Sequence, residues 1–139
     1  MPSWPPDIAE ERLAAARVGR LATVTALGRP HVVPVCFVLH DGRVYTAVDE
    51  KPKATSALAR LENVRATRRA SLLVDHYEED WEALWWVRLD GSAAVLEAGP
   101  EREQALAALG AKYPQYAAAP PAGAVIAIAA QRLSGWSAR

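Results

Sequence analysis

Lys51 and Lys53 stand two apart around Pro52. In an extended segment, residues i and i+2 project to the same side, so both ammonium groups can converge on one anion, a phosphate or a carboxylate. A helix expected from Ala54 to Leu61 can add Thr55 and its positive dipole end to that anion. The wider stretch is basic, with Lys51, Lys53, Arg60, Arg65, Arg68 and Arg69 against the single acid Glu62. It reads either as a solvated charged face or as a receiver for the anionic groups of a ligand. A second concentration is aromatic: Tyr77–Trp86 also holds Trp81 and Trp85. Such residues suit a core, a dimer interface, or a slot for a planar cofactor or substrate.

Other chemistries find little support. No Gly-rich loop of the dinucleotide or P-loop type occurs. His31, His40 and His76 are dispersed and Cys36 has no second thiol, so a metal site is not expected. Ser71, Ser92 and Ser134 lack a neighbouring base, and Cys36 in VVPVCFV reads as a buried, inert thiol. The acids Asp75, Glu78, Glu79, Asp80 and Glu82 read as exposed charge at the end of a strand. The chain balances 16 basic against 16 acidic residues, which supplies no broad basic surface for nucleic acid. No apolar run approaches bilayer length, and MPSWPPDIAEER lacks the features of an export signal. One cysteine excludes an intrachain disulfide and fits a reducing compartment, so a cytoplasmic protein is expected.

The elements that must position these residues follow from pattern. Ser3 or Asp7 can start a helix that Gly19 stops. Arg20–Ala26 is expected as a strand, Leu27–Pro30 as a turn, and His31–His40 as a strongly apolar second strand. Asp41-Gly42 is the clearest hairpin signal, returning along Arg43–Val48. Pro34 lacks an N–H and therefore belongs on an edge, at a bulge, or where a ligand replaces the neighbouring strand. Ala70–Tyr77 alternates as a strand. Leu84–Leu96 is strand-like but contains Asp90-Gly91, which local rules read as another hairpin. Pro100 opens a helix that Gly110 is expected to close, and a Pro/Ala-rich loop at Tyr113–Gly123 precedes a last strand, Ala124–Leu133. Six or seven strands with short helices make a β-rich α+β domain or a small barrel.

In this order RVGRLATVTALGRPHVVPVCFVLHDGRVYTAVDEKPK, RRASLLVDHY and WWVRLDGSAAVL resemble the flavin- and deazaflavin-dependent oxidoreductases with the split-barrel fold of pyridoxamine-phosphate oxidase. The likeness runs from about Val18 to Leu96 and loosely includes the last strand. More narrowly, DHYEEDWEALWWVRLDG is similar to the signature of an actinobacterial subgroup of F420-dependent enzymes. The resemblance implies a mainly β, six- to seven-stranded split barrel with short peripheral helices, residues 1–139 forming one domain. It also implies a homodimer with two cofactor sites built across the interface. The ring of coenzyme F420 would lie against Val33, Pro34, Val35, Thr46, Ala47 and Val48, with Lys51, Lys53 and Thr55 at the phosphate. Trp85, Trp86 and Arg88 would line the interface side. Against the local rule, the likeness makes Leu84–Leu96 one bent strand with Gly91 at a kink. The stretch from Lys53 to Arg69 is longer than in several relatives, so no contact carries over to Arg60, Arg65 or Arg68.

The function implied is hydride transfer between the deazaflavin and an unidentified small organic substrate, the cofactor carrying the reaction and the protein orienting it. An FMN-dependent oxidase or reductase on the same fold is the enzymatic alternative, and a non-catalytic flavin- or F420-binding protein the other. The basic stretch favours the long anionic tail of F420 over the short phosphate of FMN. No histidine falls at a convincing haem-ligand position, and no side chain stands out as a general acid.

Overall fold

The computed structural model describes residues 3–48 and 55–139, with side chains in the second stretch described from Leu58 onward. Lys51 and Lys53 lie outside the described residues, as does the side chain of Thr55. Helix α1 (Pro6–Ala15) begins behind Pro5, the fixed φ of proline suiting a first turn. Neither Ser3 nor Asp7 caps it: Ser3 instead bridges to Trp136, and Asp7 sits in the first turn. The helix ends before Gly19, because Ala16 is already extended, and Gly19 opens β1 (Gly19–Val24).

The apolar run expected as one strand, His31–His40, is two: β2 (Pro30–Val35) and β3 (Val38–His40), separated by Cys36 and Phe37. Strand β4 (Arg43–Ala47) pairs back on β3 through the Asp41-Gly42 turn, both residues at positive φ (49° and 77°). After α2 (Thr55–Thr67) come β5 (Arg69–His76), a short 3₁₀ turn at Trp81–Ala83, and β6 (Trp85–Leu96). Then follow α3 (Pro100–Lys112), α4 (Pro114–Ala118) and β7 (Val125–Ser137). Helix α2 runs past the expected end at Leu61, burying Leu61 and Val64 but leaving Leu58 half exposed. Helix α3 passes through Gly110, which weakens a helix by about 1 kcal/mol but does not stop one whose Ala105 and Leu109 are buried. The expected loop after Tyr113 contains α4.

All seven strands join one antiparallel sheet in the order β2-β1-β5-β6-β7-β4-β3. Its two edges are consecutive strands joined by two residues. Laid flat, those edges would stand about 29 Å apart at ~4.8 Å per step. The chain from Val35 to Val38 reaches about 11 Å at most. The sheet therefore rolls until its edges meet without pairing, which is the split barrel. Pro34 lies on the edge strand β2, bonded on one side only to β1, so its missing N–H costs no ladder bond.

Inside the barrel Leu21, Phe37, Leu72, Val74, Val87, Leu89, Ile126 and Ile128 form the main core. A second cluster sits on the outer face, where Ala105, Leu109 and Tyr113 of the α3 region cover Val38, Tyr45, Ala47, Val125 and Ala127. Tyr45 also donates its hydroxyl to Glu101 at 2.8 Å, and burial with that bond pushes its pKa up to about 12. The helix thus covers the β7-β4-β3 half of the outer surface. Over β2-β1-β5-β6 no described helix covers the outer face, and Val32 is 62% exposed there.

Asp90-Gly91 is a kink within β6, as the family likeness implies, and not a hairpin tip. Asp90 pairs with Arg132 but Gly91 with Ala130, leaving Gln131 as the extra residue on β7. A Cβ at Gly91 would stand 2.1 Å from the carbonyl oxygen of Ala129, a backbone atom that cannot turn aside. Gly91→Ala should therefore cost at least about 1–3 kcal/mol, the range for overpacked cores, read as a lower urea midpoint. An unchanged midpoint would show that the bulge can shift without loss.

Candidate functional site

Strand alternation puts every second residue of the bare half outward, and the register aligns them in rows. One row runs Pro34–Arg20–Leu73–Arg88–Ser134, and the next Val32–Ala22–Ser71–Asp90–Arg132. A third joins Asp75, Trp86 and Trp136. Pro34 and Arg88 are three strands apart, roughly 14 Å at ~4.8 Å per step. The face is therefore a continuous platform, apolar toward β2 and increasingly polar toward β6.

A cleft of about 340 Å³ opens on it between Leu73, Asp75, Tyr77, Trp86 and Arg88. Trp86 and Tyr77 supply aromatic surface, Tyr77 being 63% exposed. Arg88 is oriented from below: its Nε lies 3.0–3.1 Å from both oxygens of Asp90, and its guanidinium sits 5.9 Å from the Trp86 ring centre. Ser71 donates its hydroxyl to the same Asp90 carboxylate at 2.6 Å. Arg20 approaches Asp75 at 3.7 Å across the opposite side. A second, more polar cleft of about 270 Å³ follows along the kink, lined by Arg69, Ser71, Asp90 and Gln131 among others. Arranged this way, the platform can hold a planar aromatic group against Trp86 and Tyr77 and meet anionic substituents with guanidinium groups.

The expected site residues divide between the faces. Trp86, Arg88 and Pro34 share the outer face. Trp85 turns inward, its ring 5.5 Å from that of Trp4, with Arg12 over both at 5.2–5.6 Å. Val33 and Val35 also turn inward, Val35 into the main core and Val33 against it. Thr46, Ala47 and Val48 are buried: Thr46 donates to the Cys36 carbonyl at 2.7 Å, Ala47 packs beneath α3, and Val48 joins the main core. Of the basic stretch, Arg65 is paired with Glu97 at 2.8 Å, while Arg69 reaches the second cleft. Sequence reasoning did not single out Arg20, Ser71, Leu73, Asp75 or Asp90 for the site. Their signal was the period-two spacing within β1, β5 and β6, which acquires meaning once the cross-strand register aligns it.

The family model described as pyridoxamine 5′-phosphate oxidase matches residues 6–137. The chain belongs to that family. Among solved structures, a conserved hypothetical protein from Mycobacterium tuberculosis superposes with a TM-score of 0.76 at 21% identity, covering 98% of this chain and 86% of that one. An FAD-binding protein from Mesorhizobium loti gives 0.75 at 23% identity, covering 96% and 95%. The haem storage protein of Vibrio cholerae gives 0.68 at 22%, covering 92% and 91%. A search among curated proteins finds no match.

The opposed directions of the two tryptophans are testable. Trp85→Ala should cost about 2–4 kcal/mol in urea unfolding, near the range for large-to-small core changes. Trp86→Ala, on the open face, should stay within about 1 kcal/mol of the parent when both are unfolded at concentrations dilute enough to be monomeric. Equal losses would overturn the assignment of faces.

Proposed function

We propose that the protein binds a flavin-type cofactor on the bare half of its sheet, at the contact between two copies of the chain, and works as an F420-dependent oxidoreductase. The observation that carries this reading is the uncovered outer face of β2-β1-β5-β6, with Trp86, Tyr77 and Arg88 around one cleft. An isolated barrel keeps that face in water although Val32, Pro34, Ala22, Val24 and Leu73 give it apolar area. Covering it with a second copy removes the exposed surface and converts open clefts into enclosed ones.

The donor set fits the group. A ring finds an aromatic wall in Trp86 and Tyr77, and the anionic arm finds Arg88, Arg20 and Arg69 along the same face. Lys51 and Lys53 are assigned to the cofactor phosphate from the sequence. When bound, the reduced deazaflavin supplies a hydride to an electron-poor substrate. The chain's own part is to hold the ring edge, to fix Arg88 through Asp90 and Ser71, and to exclude water at the contact between copies.

FMN or FAD in place of F420 is the second reading, favoured by the FAD-binding protein from Mesorhizobium loti among the structural neighbours. A binding protein without catalysis remains the third, since no described side chain of the cleft is poised as an acid.

Light scattering at micromolar concentration should give a dimeric mass, with an interface above ~1,000 Å². Titration by ring fluorescence should show F420 bound at micromolar Kd or tighter, ahead of FMN and FAD, with affinity falling as salt rises. Lys51→Ala and Lys53→Ala should each weaken it roughly ten- to a hundredfold, the worth of a charge-assisted contact. A clear preference for FMN or FAD would move the conclusion to the second reading.

A further inference from the structure

The covered half of the sheet carries a groove of its own, between α3 and β3. Val38, Ala107, Ala108 and Ala111 give it apolar walls, with His40, Gln104 and Lys112 also lining it, and its volume is about 570 Å³. It is a shallow groove open to solvent along one side rather than an enclosed cavity.

Lys112 is the unusual member. Its Nζ donates to the carbonyl of Ala16 at 2.6 Å and stands 4.1 Å from the centre of the Phe37 ring and 5.4 Å from that of Tyr113. Arg17 arrives beside it from the connection between α1 and β1. The Arg17 guanidinium donates to the Lys112 carbonyl at 2.9 Å and lies 4.7 Å from the Tyr113 ring centre. Among the described residues no carboxylate pairs with either cation. Two like charges thus stand together at the end of an apolar helix face, one of them half withdrawn from water. Burial first, and then the neighbouring Arg17, hold the Lys112 amine down at about 8. Backbone carbonyls and ring faces hold both cations, and no carboxylate among the described residues neutralises their charge.

We propose that this groove binds an aliphatic monocarboxylate, its chain along Val38, Ala107, Ala108 and Ala111 and its carboxylate on Lys112, with the charge of Arg17 beside it. The small alanine side chains of α3 leave room for an alkyl chain, and each methylene covered leaves water. The head then makes charge-assisted bonds with hydrogens that the Ala16 carbonyl does not use. His40, held toward Asp41 at 3.5 Å, stands elsewhere on the lining and is not needed for the charge pairing.

The groups facing Lys112 are Arg17, Cys36 and Tyr113, with His40 and Gln104 on the groove wall. The carboxylate binds the protonated amine. Affinity is therefore full below the amine's value of about 8 and falls as pH rises through it, because the free amine then sheds the proton the ligand needs.

The test is calorimetric titration of the full chain with octanoate at pH 7 and pH 9, beside 1-octanol, with no flavin added, so that its outcome is separate from the cofactor reading. Octanoate should bind saturably, about tenfold more weakly at pH 9, and at least about tenfold more tightly than 1-octanol at pH 7. Lys112→Met should lower octanoate affinity at least about tenfold and erase the pH dependence, while Lys112→Arg keeps most of the affinity at both pH values. Equal binding of octanoate and octanol, no saturable binding, or an unchanged Lys112→Met would overturn the proposal. Should Lys112→Met fail to fold, the octanoate–octanol comparison and the pH series on the unaltered chain decide it.

Discussion

The hydroxyl of Tyr113 holds the seam of the barrel. Phe37 is fully buried at the point where the chain leaves one edge of the sheet for the other, so strand pairing cannot satisfy its backbone. Its N–H donates to the Tyr113 oxygen at 3.2 Å, and its carbonyl stands 3.0 Å from that oxygen as an acceptor. The Arg17 carbonyl lies 2.9 Å away on the same hydroxyl. An orphaned backbone group at such a place costs about 1–3 kcal/mol, so one side chain from the end of α3 makes the crossing tolerable. Burial raises the pKa of this phenol, which keeps it a hydroxyl well above neutral pH.

Anchoring Tyr113 there also fixes where α3 lies, and with it the asymmetry of the molecule. Ala105 and Leu109 cover the β7-β4-β3 half of the outer face, while β2-β1-β5-β6 keeps an open one. The kink at Gly91 falls where the second cleft meets the β7 strand. One constraint, closing a seven-stranded sheet without pairing its edges, therefore produces both a helix-covered groove and an uncovered platform. The platform carries the proposed cofactor site because it combines aromatic surface, oriented guanidinium groups and exposed apolar area.

Much of this was legible in the chain. Asp41-Gly42 marked its hairpin because a two-residue turn at positive φ has a narrow choice of residues. Pro34 narrowed its strand to an edge, a bulge or a ligand-facing place, and the topology shows the edge. The single bent β6 was legible only through the family likeness, since Asp-Gly is an equally good hairpin dipeptide and the decisive contact is with the distant Ala129 carbonyl. The break at Cys36-Phe37 was hidden inside a continuous apolar run, because a strand buried in the core and a crossing buried at the seam have the same composition. Trp85 and Trp86 were both expected on the interface side, and the register with Asp75 and His76 separates them, Trp86 outward and Trp85 inward. The polar members of the platform were scattered over three strands and looked like ordinary surface until aligned.

The central claim is that the second copy and the cofactor meet on the bare half of the sheet, and Val32 is the most direct handle on it. Its side chain is 62% exposed on the edge strand, so an aspartate there costs the isolated barrel little but places a charge in any contact that covers the face. The measurement is light scattering with parallel cofactor titration on Val32→Asp, its fold checked by circular dichroism. A folded monomer with cofactor affinity lowered at least about tenfold is the expected result. A variant that stays dimeric, or a monomer that binds the cofactor as the parent does, would contradict the account.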